Sequence, residues 1–251
     1  MSKARYVTGL RAVEQLLSQP ATKILKLYTE YQTPNPRLEA IVSQANKQGL
    51  EIQSANRARL QQISGEVRHQ GVVAEIRRSR VMDEAKFRGL VEEALTSDKK
   101  LLLLILDNIQ DPHNLGACLR TADAAGVDAV IVSRHRAAGL GPAVSKVAAG
   151  AAEAIPFVAV TNIGRVITWL KEYGISVIGT SDRAEKTIYE CDLASSLAFV
   201  MGQEHSGLRK HIEKRCDQLV SLPMQGTVSS LNVSVATGIC LYEAVRQRLN
   251  S

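Results

Sequence analysis

The sequence lacks the features of membrane-spanning and secreted proteins. It has no run of 18 or more apolar residues, and the apolar run at 101–106 is only six residues long, which predicts a buried strand. The N-terminal stretch MSKARYVTGL has no apolar core like that of a signal peptide. We therefore expect a cytoplasmic protein.

The sequence also has few cysteines, and none of them forms a CxxC pair. The four lie far apart, at Cys118, Cys191, Cys216 and Cys240. This spacing argues against a zinc site and against a disulfide framework, so we expect reduced thiols and no bound metal.

A complete dinucleotide-binding fingerprint is missing. The stretch Gly139-Leu-Gly141-Pro-Ala-Val144 follows a predicted strand, but it has no third glycine and Pro142 occupies the turn. We interpret it as a tight turn between a strand and a helix. A small-molecule enzyme of the Rossmann type is thereby disfavoured.

Positive charge is concentrated in the first third of the chain. Residues 1–77 contain 11 Lys and Arg against 6 Asp and Glu, within a formal net charge of +6 for all 251 residues. A basic surface suits a polyanion such as RNA, because phosphate contacts release counterions. On charge alone, a basic face that merely keeps the protein soluble explains the pattern equally well.

The sequence pattern predicts two domains. Residues 1–77 form a small α/β domain of three or four strands, and residues 78–98 a linker that contains a helix. Residues 99–251 alternate strands and helices, which favours a parallel sheet covered on both faces. Strands are expected at 101–106, 128–133, 155–160, 175–180, 197–201 and 218–222, and helices near 115–125, 141–151, 162–173, 207–214 and 233–249.

Three polar segments follow predicted strands, where α/β proteins place their ligands. The first runs from Asp107 to Arg120, and its Asn114 is either a helix cap or a site residue. The second is Gly202–Gly207, whose glycines permit close backbone approach to a ligand and whose Glu204 is either functional or a simple first-turn acid. His205 is given no role.

The third segment, 222–234, is the most unusual. Pro, Met, Gly, Ser and Asn crowd together between an apolar strand and an apolar helix. Ser230 or Asn232 can serve as the N-cap of that helix, but capping does not explain the whole stretch. A loop that wraps a polar ligand with its backbone does.

In this order and spacing, the segments resemble the three motifs of the SpoU branch of the SPOUT methyltransferases, over about residues 99–249. The resemblance implies a parallel-sheet α/β catalytic domain with a C-terminal trefoil knot, preceded by a small L30e-like RNA-binding domain at 1–77. It also implies S-adenosylmethionine (AdoMet) as cofactor, a homodimer with its active site near the subunit interface, and RNA as substrate.

The resemblance carries family roles onto particular residues of this sequence. The implied catalytic residues are Asn114, Arg120, Glu204, Ser230 and Asn232. The implied cofactor-binding residues are Thr180, Gly202, Leu222, Met224 and Leu231. The family proposal makes Arg120 the base. A guanidinium almost always stays protonated, so binding a phosphate and stabilising alkoxide charge is the physically easier role.

The leading hypothesis is therefore an AdoMet-dependent ribose 2′-O-methyltransferase that acts on a guanosine of 23S rRNA, in the peptidyl-transferase region, as free rRNA or in a large-subunit assembly intermediate. One alternative is a tRNA ribose 2′-O-methyltransferase. Another is a non-catalytic RNA-binding or ribosome-assembly protein, against which the presence of Arg120, Glu204, Ser230 and Asn232 argues.

Overall fold

The computed structural model describes residues 5–18, 24–30, 35–76, 81–135, 137–203 and 206–250. The chain divides into two compact units, Met1–Ser79 and Arg80–Ser251. They are called unit 1 and unit 2 below, and each is described by itself.

Unit 1 is a four-stranded sheet with helices on both faces. Its elements are β1 (Arg5–Thr8), α1 (Leu10–Ser18), β2 (Ile24–Glu30), α2 (Pro36–Lys47), β3 (Ile52–Ala55), α3 (Arg57–Ser64) and β4 (Val72–Ile76). The strand order is β1-β4-β2-β3, and only β2 and β3 pair in parallel. Val72 packs with α1 and α2, whereas Val73 packs with α3, because successive side chains of a strand point to opposite faces. The predicted α/β character is confirmed, and β1 is a strand that the sequence pattern did not predict.

Unit 2 is built on a six-stranded parallel sheet. Its elements are α4 (Glu84–Thr96), β5 (Leu102–Leu106), α5 (Pro112–Ala124), β6 (Ala129–Ser133), α6 (Pro142–Ala148), α7 (Ala151–Ala154), β7 (Phe157–Val160), α8 (Ile163–Glu172), β8 (Ser176–Thr180), β9 (Leu197–Met201), α9 (Lys210–Glu213), β10 (Gln218–Val220) and α10 (Val233–Leu249). The strand order is β10-β8-β9-β5-β6-β7, and every neighbouring pair is parallel. The predicted parallel sheet is confirmed.

Both faces of this sheet are covered, and its two central strands, β5 and β9, are apolar throughout. Leu102, Leu104 and Leu106 of β5 belong to the apolar cluster that includes α5 and α10. The alternate residues Leu103 and Ile105 belong to the cluster that includes α4 and α8. This is the burial expected of a parallel sheet between two helical layers.

The predicted linker differs from the structure over α4, because this helix belongs to unit 2. Its Phe87 and Val91 are fully buried against the sheet layer. The Phe87 ring meets the Trp169 ring edge to face, with 5.4 Å between ring centroids. The apolar stripe that predicts the helix also docks it, so the stretch 84–96 is not a free connection.

Two predicted helices are shorter than expected. The helix expected at 141–151 is interrupted at Ala149 and Gly150, whose φ angles of 52° and 101° are left-handed. The helix expected at 207–214 contains only Lys210–Glu213.

Helix α10 is apolar on two sides. One side packs in the core through Val233, Thr237, Cys240, Leu241 and Ala244. The other side exposes Val235 (50%), Tyr242 (50%) and Leu249 (80%). Val235, Tyr242 and Leu249 therefore form an exposed apolar face, which we call the α10 apolar face.

The last turn of α10 is fixed to the beginnings of two strands by Arg248. Its guanidinium donates to four backbone carbonyl oxygens, those of Lys100, Leu101, Leu193 and Ser195. We expect Arg248→Met to lower the free energy of unfolding by about 3 kcal/mol, because hydrogen bonds from a charged group contribute about 1.5–3 kcal/mol each and the carbonyls lose their donor. Urea denaturation measures this loss.

Arg165→Met is the matched control, on α8 of the same unit. Arg165 pairs with Glu84, and its side chain is 59% exposed, so its loss should cost about 1 kcal/mol or less. Equal losses for the two variants would contradict the anchoring role of Arg248.

Candidate active site

A cavity of about 400 Å³ lies at the carboxyl ends of β8, β9 and β10. It is bounded by the segments that follow these three strands and by the start of α10. The lining residues are Thr180, Ser181, Asp182, Arg183, Met201, Gly202, Gln203, Ser206, Gly207, Leu208, Lys210, Glu213, Val220, Leu222, Met224, Ser229, Ser230, Leu231, Val233 and Ala236. The volume falls in the range of pockets that hold small ligands.

The structure brings the five predicted cofactor residues together at this cavity. Thr180, Gly202, Leu222, Met224 and Leu231 all line it, although they come from three segments of the chain. The predicted catalytic residue Ser230 lines it as well. The loop after β10 thus wraps one side of the cavity, as the sequence pattern predicts.

Gly202 makes the closest backbone approach in the site. A Cβ atom built on Gly202 would lie 2.2 Å from the carbonyl carbon of Gly207 and 2.4 Å from the backbone nitrogen of Leu208. The backbone groups of Gln203 and Gly207 exchange two hydrogen bonds, of 3.1 and 2.9 Å. The described residues 202–203 and 206–208 of the loop 202–208 therefore lie close together, and only glycine fits at position 202.

Asn114 and Asn232 are joined directly. Asn232 Nδ2 donates to Asn114 Oδ1 at 2.9 Å, across 118 residues of sequence. Asn232 also caps α10, because its Oδ1 accepts from the backbone nitrogen of Ser234 at 2.9 Å. The cap of α5 is Asp111, so the interpretation of Asn114 as a simple helix cap is wrong.

Arg120 is exposed on α5 and is not among the residues that line the cavity. Six residues separate it from Asn114, which turns its side chain roughly 120° around the helix. Within one chain, the structure therefore does not bring Arg120 to the cavity. Gly116, which lies between the two, packs closely on α6: a Cβ atom there would lie 2.8 Å from the carbonyl oxygen of Val144.

Glu204, a predicted catalytic residue, lies outside the described residues, as does His205. The flanking Gln203 is well placed. Its Nε2 donates to the carbonyl oxygen of Asn108 at 3.0 Å, and its Oε1 accepts from Ser206 Oγ at 2.7 Å. These contacts tie the second motif to the first.

Sequence reasoning missed four charged residues at the cavity: Asp182, Arg183, Lys210 and Glu213. Their only signal is that they follow the ends of β8 and β9. The buried cysteines near the site are not nucleophiles. Burial raises the pKa of the Cys118 thiol to about 11 and that of Cys240 to about 12, so both stay protonated.

The described residues include no group of three or more His, Cys, Asp and Glu side chains that could hold a metal ion. Within the same ranges, no helix is long and apolar enough to cross a membrane.

The fold and the cavity define an α/β protein with a cavity of ligand size between loops at the carboxyl edge of its sheet. The family model of the SpoU rRNA Methylase family matches residues 101–242, and a model for RNA 2′-O ribose methyltransferase substrate binding matches residues 6–82. The chain belongs to the SpoU rRNA methylase family, which confirms the resemblance seen in its three motifs.

Two individual relatives match nearly the whole chain, and a third matches about two thirds of it. The 23S rRNA (guanosine-2′-O-)-methyltransferase RlmB of Coxiella burnetii is 45% identical over 99% of this chain and 98% of its own. The crystal structure of the AdoMet-bound rRNA methyltransferase from Sinorhizobium meliloti matches with a TM-score of 0.74 and 25% identity, over 97% of this chain and 87% of that one. The A. aeolicus TrmH/SpoU tRNA modifying enzyme matches with a TM-score of 0.56 and 31% identity, over 66% of this chain and 84% of its own.

Proposed function

We propose that this protein transfers a methyl group from AdoMet to the ribose 2′-hydroxyl of a guanosine in 23S rRNA. The observation that carries the proposal is the cavity at the carboxyl edge of the unit 2 sheet, where five residues from three segments of the chain meet beside the Asn114–Asn232 hydrogen bond. Full-length relatives named as 23S rRNA guanosine-2′-O-methyltransferases support the choice of substrate. A position in the peptidyl-transferase region remains part of the proposal.

The residues present fit AdoMet as the cofactor. The cavity has about the right volume for a nucleoside with an amino-acid tail, and the close approach at Gly202 leaves backbone groups of the loop free of side-chain obstruction. Thr180, Gly202, Leu222, Met224 and Leu231 would hold it. When bound, AdoMet supplies a methyl group already activated on a sulfonium centre.

The protein must then align the ribose hydroxyl and stabilise charge as the hydroxyl loses its proton. Asn114 and Asn232 hold each other's side-chain amides in place, and Ser230 lies beside them on the cavity wall. In our proposal they orient the ribose. Arg120, as a permanent cation, binds the neighbouring phosphate and stabilises the developing alkoxide, while the proton leaves to solvent. Glu204 anchors the loop.

We further propose that the protein works as a homodimer in which Arg120 serves the cavity of the partner subunit. Two observations support this: Arg120 is exposed away from the cavity of its own chain, and α10 leaves an apolar face uncovered at Val235, Tyr242 and Leu249. An exposed apolar patch of this kind is typical of an interface.

Subunit mixing tests this arrangement. We expect Arg120→Ala and the cavity-filling variant Met224→Trp to be inactive separately, and an equal mixture of refolded subunits to recover about a quarter of the wild-type activity, because half of the dimers then contain one complete site. Methyl transfer before and after mixing is the measurement. An inactive mixture that still forms mixed dimers would place Arg120 at the cavity of its own chain.

Unit 1 is proposed to bind the RNA, as an L30e-like domain. Its described part exposes Arg57, Arg59 and Arg68 on and after α3. Removing unit 1 should weaken RNA affinity by at least about tenfold and flatten its dependence on salt, because fewer phosphates are neutralised. The AdoMet dissociation constant should not change. RNA binding that survives the deletion with the same salt dependence would assign recognition to unit 2.

A trefoil knot in unit 2 is also part of the proposal. The support is local: the backbone of Gly202 touches that of Gly207 and Leu208, and the segment 222–231 passes along the same cavity before α10 packs on α5.

The decisive experiment is methyl transfer from labelled AdoMet to purified 23S rRNA, 16S rRNA and bulk tRNA in parallel, with the product nucleoside identified by mass spectrometry. We expect 2′-O-methylguanosine in 23S rRNA alone. Methylation of tRNA alone would keep the proposed chemistry but change the substrate from 23S rRNA to tRNA. If AdoMet binds but no RNA is modified, an assembly intermediate must be tested next, and failure there too would favour a non-catalytic RNA-binding protein.

A further inference from the structure

A buried ion pair lies beside the cavity and is not explained by the proposed chemistry. Asp107 directly follows β5, and its side chain is 0% exposed. Arg209 precedes α9, and its side chain is 28% exposed. A carboxylate removed from water in this way is costly unless it is paired and hydrogen-bonded.

Both carboxylate oxygens of Asp107 accept hydrogen bonds from Arg209. Arg209 Nε lies 3.0 Å from each carboxylate oxygen of Asp107, and Arg209 Nη2 makes a further short contact with Oδ1. The backbone nitrogen of Arg209 donates to Oδ2 at 3.4 Å. The guanidinium donates through a planar fork that a lysine lacks, and the backbone N–H adds a donor that fixes the main chain at residue 209.

Asp107 also holds the other end of the cofactor loop. Its backbone nitrogen donates to the carbonyl oxygen of Met201 at 2.8 Å. Met201 immediately precedes the loop 202–208, and Arg209 immediately follows it. One residue therefore binds both ends of a loop that contributes Gly202, Gln203, Ser206, Gly207 and Leu208 to the cavity.

The same residue opens the segment that leads to α5. Asn108 follows Asp107 and accepts the hydrogen bond from Gln203 in the middle of the loop, and Asp111 then caps α5, which carries Asn114 and Arg120. The ion pair therefore lies at the point where two parts of the site are both connected to Asp107. One is the loop proposed to bind the cofactor, and the other is the segment that leads to α5, which carries the proposed substrate-binding residues.

We propose that Asp107 and Arg209 are positioning residues that clamp the described part of the loop 202–208, residues 202–203 and 206–208, in the arrangement that binds the cofactor. The pair sets the affinity for AdoMet and does not touch the reacting atoms. This inference rests on the proposed function, because it takes AdoMet as the ligand of the cavity.

The test compares AdoMet binding by titration calorimetry for full-length variants, well below their unfolding temperatures. Asp107→Asn keeps the shape of the carboxylate but removes its charge, and Arg209→Lys keeps the charge but loses the planar fork. We expect each to raise the AdoMet dissociation constant by about tenfold or more, within the range usual for coupled sites, while RNA affinity changes little. The double variant should bind no more weakly than the worse single variant, because both remove the same clamp.

Arg248→Met serves as the control, because it destabilises the same unit at the opposite edge of the sheet and should leave AdoMet affinity unchanged. If Asp107→Asn does not fold, Arg209→Lys carries the test, since it leaves no unpaired buried charge. Wild-type AdoMet affinity in a folded Arg209→Lys variant, or single effects that add in the double variant, would overturn the clamp. If the wild-type protein itself binds no AdoMet, the result would instead contradict the proposed function, and the clamp proposal would fail with it.

Discussion

Arg120→Ala is expected to lower kcat for methyl transfer by about 100- to 1000-fold, the loss usual when one group that stabilises transition-state charge is removed. Arg120 is exposed and does not line the cavity of its own chain. Folding and AdoMet affinity should therefore stay close to those of the wild type. The measurement is steady-state transfer to 23S rRNA, with thermal unfolding and AdoMet titration on the same samples.

An exposed arginine elsewhere in unit 2 provides the control. Arg165 pairs with Glu84 at 2.6 Å, and its side chain is 59% exposed, so Arg165→Ala should leave turnover unchanged. Wild-type kcat for Arg120→Ala would remove Arg120 from the mechanism. Arg120→Lys distinguishes the role of charge from the role of geometry. A lysine keeps the positive charge that binds a phosphate, but it lacks the planar guanidinium with its several hydrogen-bond donors.

Gly202→Ala is expected to weaken AdoMet binding strongly. The new Cβ would meet the backbone carbonyl carbon of Gly207 at 2.2 Å and its oxygen at 2.4 Å, and neither is the movable end of a side chain. The loop 202–208 must open to admit one methyl group, which displaces residues that line the cavity. We expect the dissociation constant to rise by about 100-fold or more, corresponding to at least ~2.7 kcal/mol.

Gly226→Ala is the matched control within the same cavity loops. No atom lies within 4 Å of a Cβ built on Gly226, and its backbone is not in the left-handed region. That variant should bind AdoMet like the wild type. Equal binding by both alanine variants would show that the close approach at Gly202 is not what shapes the cavity.

The sheet of unit 2 could be predicted because its central strands, β5 and β9, are apolar over their whole length. A run such as 101–106 fits a strand buried on both faces, and the alternation of strands with helices favours a parallel arrangement. The short first strand of unit 1 escaped prediction because four residues, Arg5–Thr8, are too few to show an alternating pattern.

The candidate site was predictable in part for a different reason. The resemblance to the family, not the strand pattern, singled out Thr180, Gly202 and Leu222. The parallel sheet explains why they meet, because loops that follow parallel strands converge at one edge of the sheet. The pairing of Asp107 with Arg209 spans 102 residues, and neither residue has a distinctive neighbourhood in the sequence. Which side of α10 faces the core was also hidden, because both sides are apolar.

The strand order of unit 2 has a consequence for how quickly the protein can become active. The central strand β5 pairs on one side with β6, but on the other with β9, where Leu102 lies opposite Leu197. When strands far apart in the sequence pair, the entropy lost in closing the long loop between them must be overcome before their contacts become favourable. This slows folding. Unit 1 has its own core of nearer partners. After dilution from denaturant, unit 1 should therefore regain its structure first, and methyl transfer should reappear only with the slowest kinetic phase.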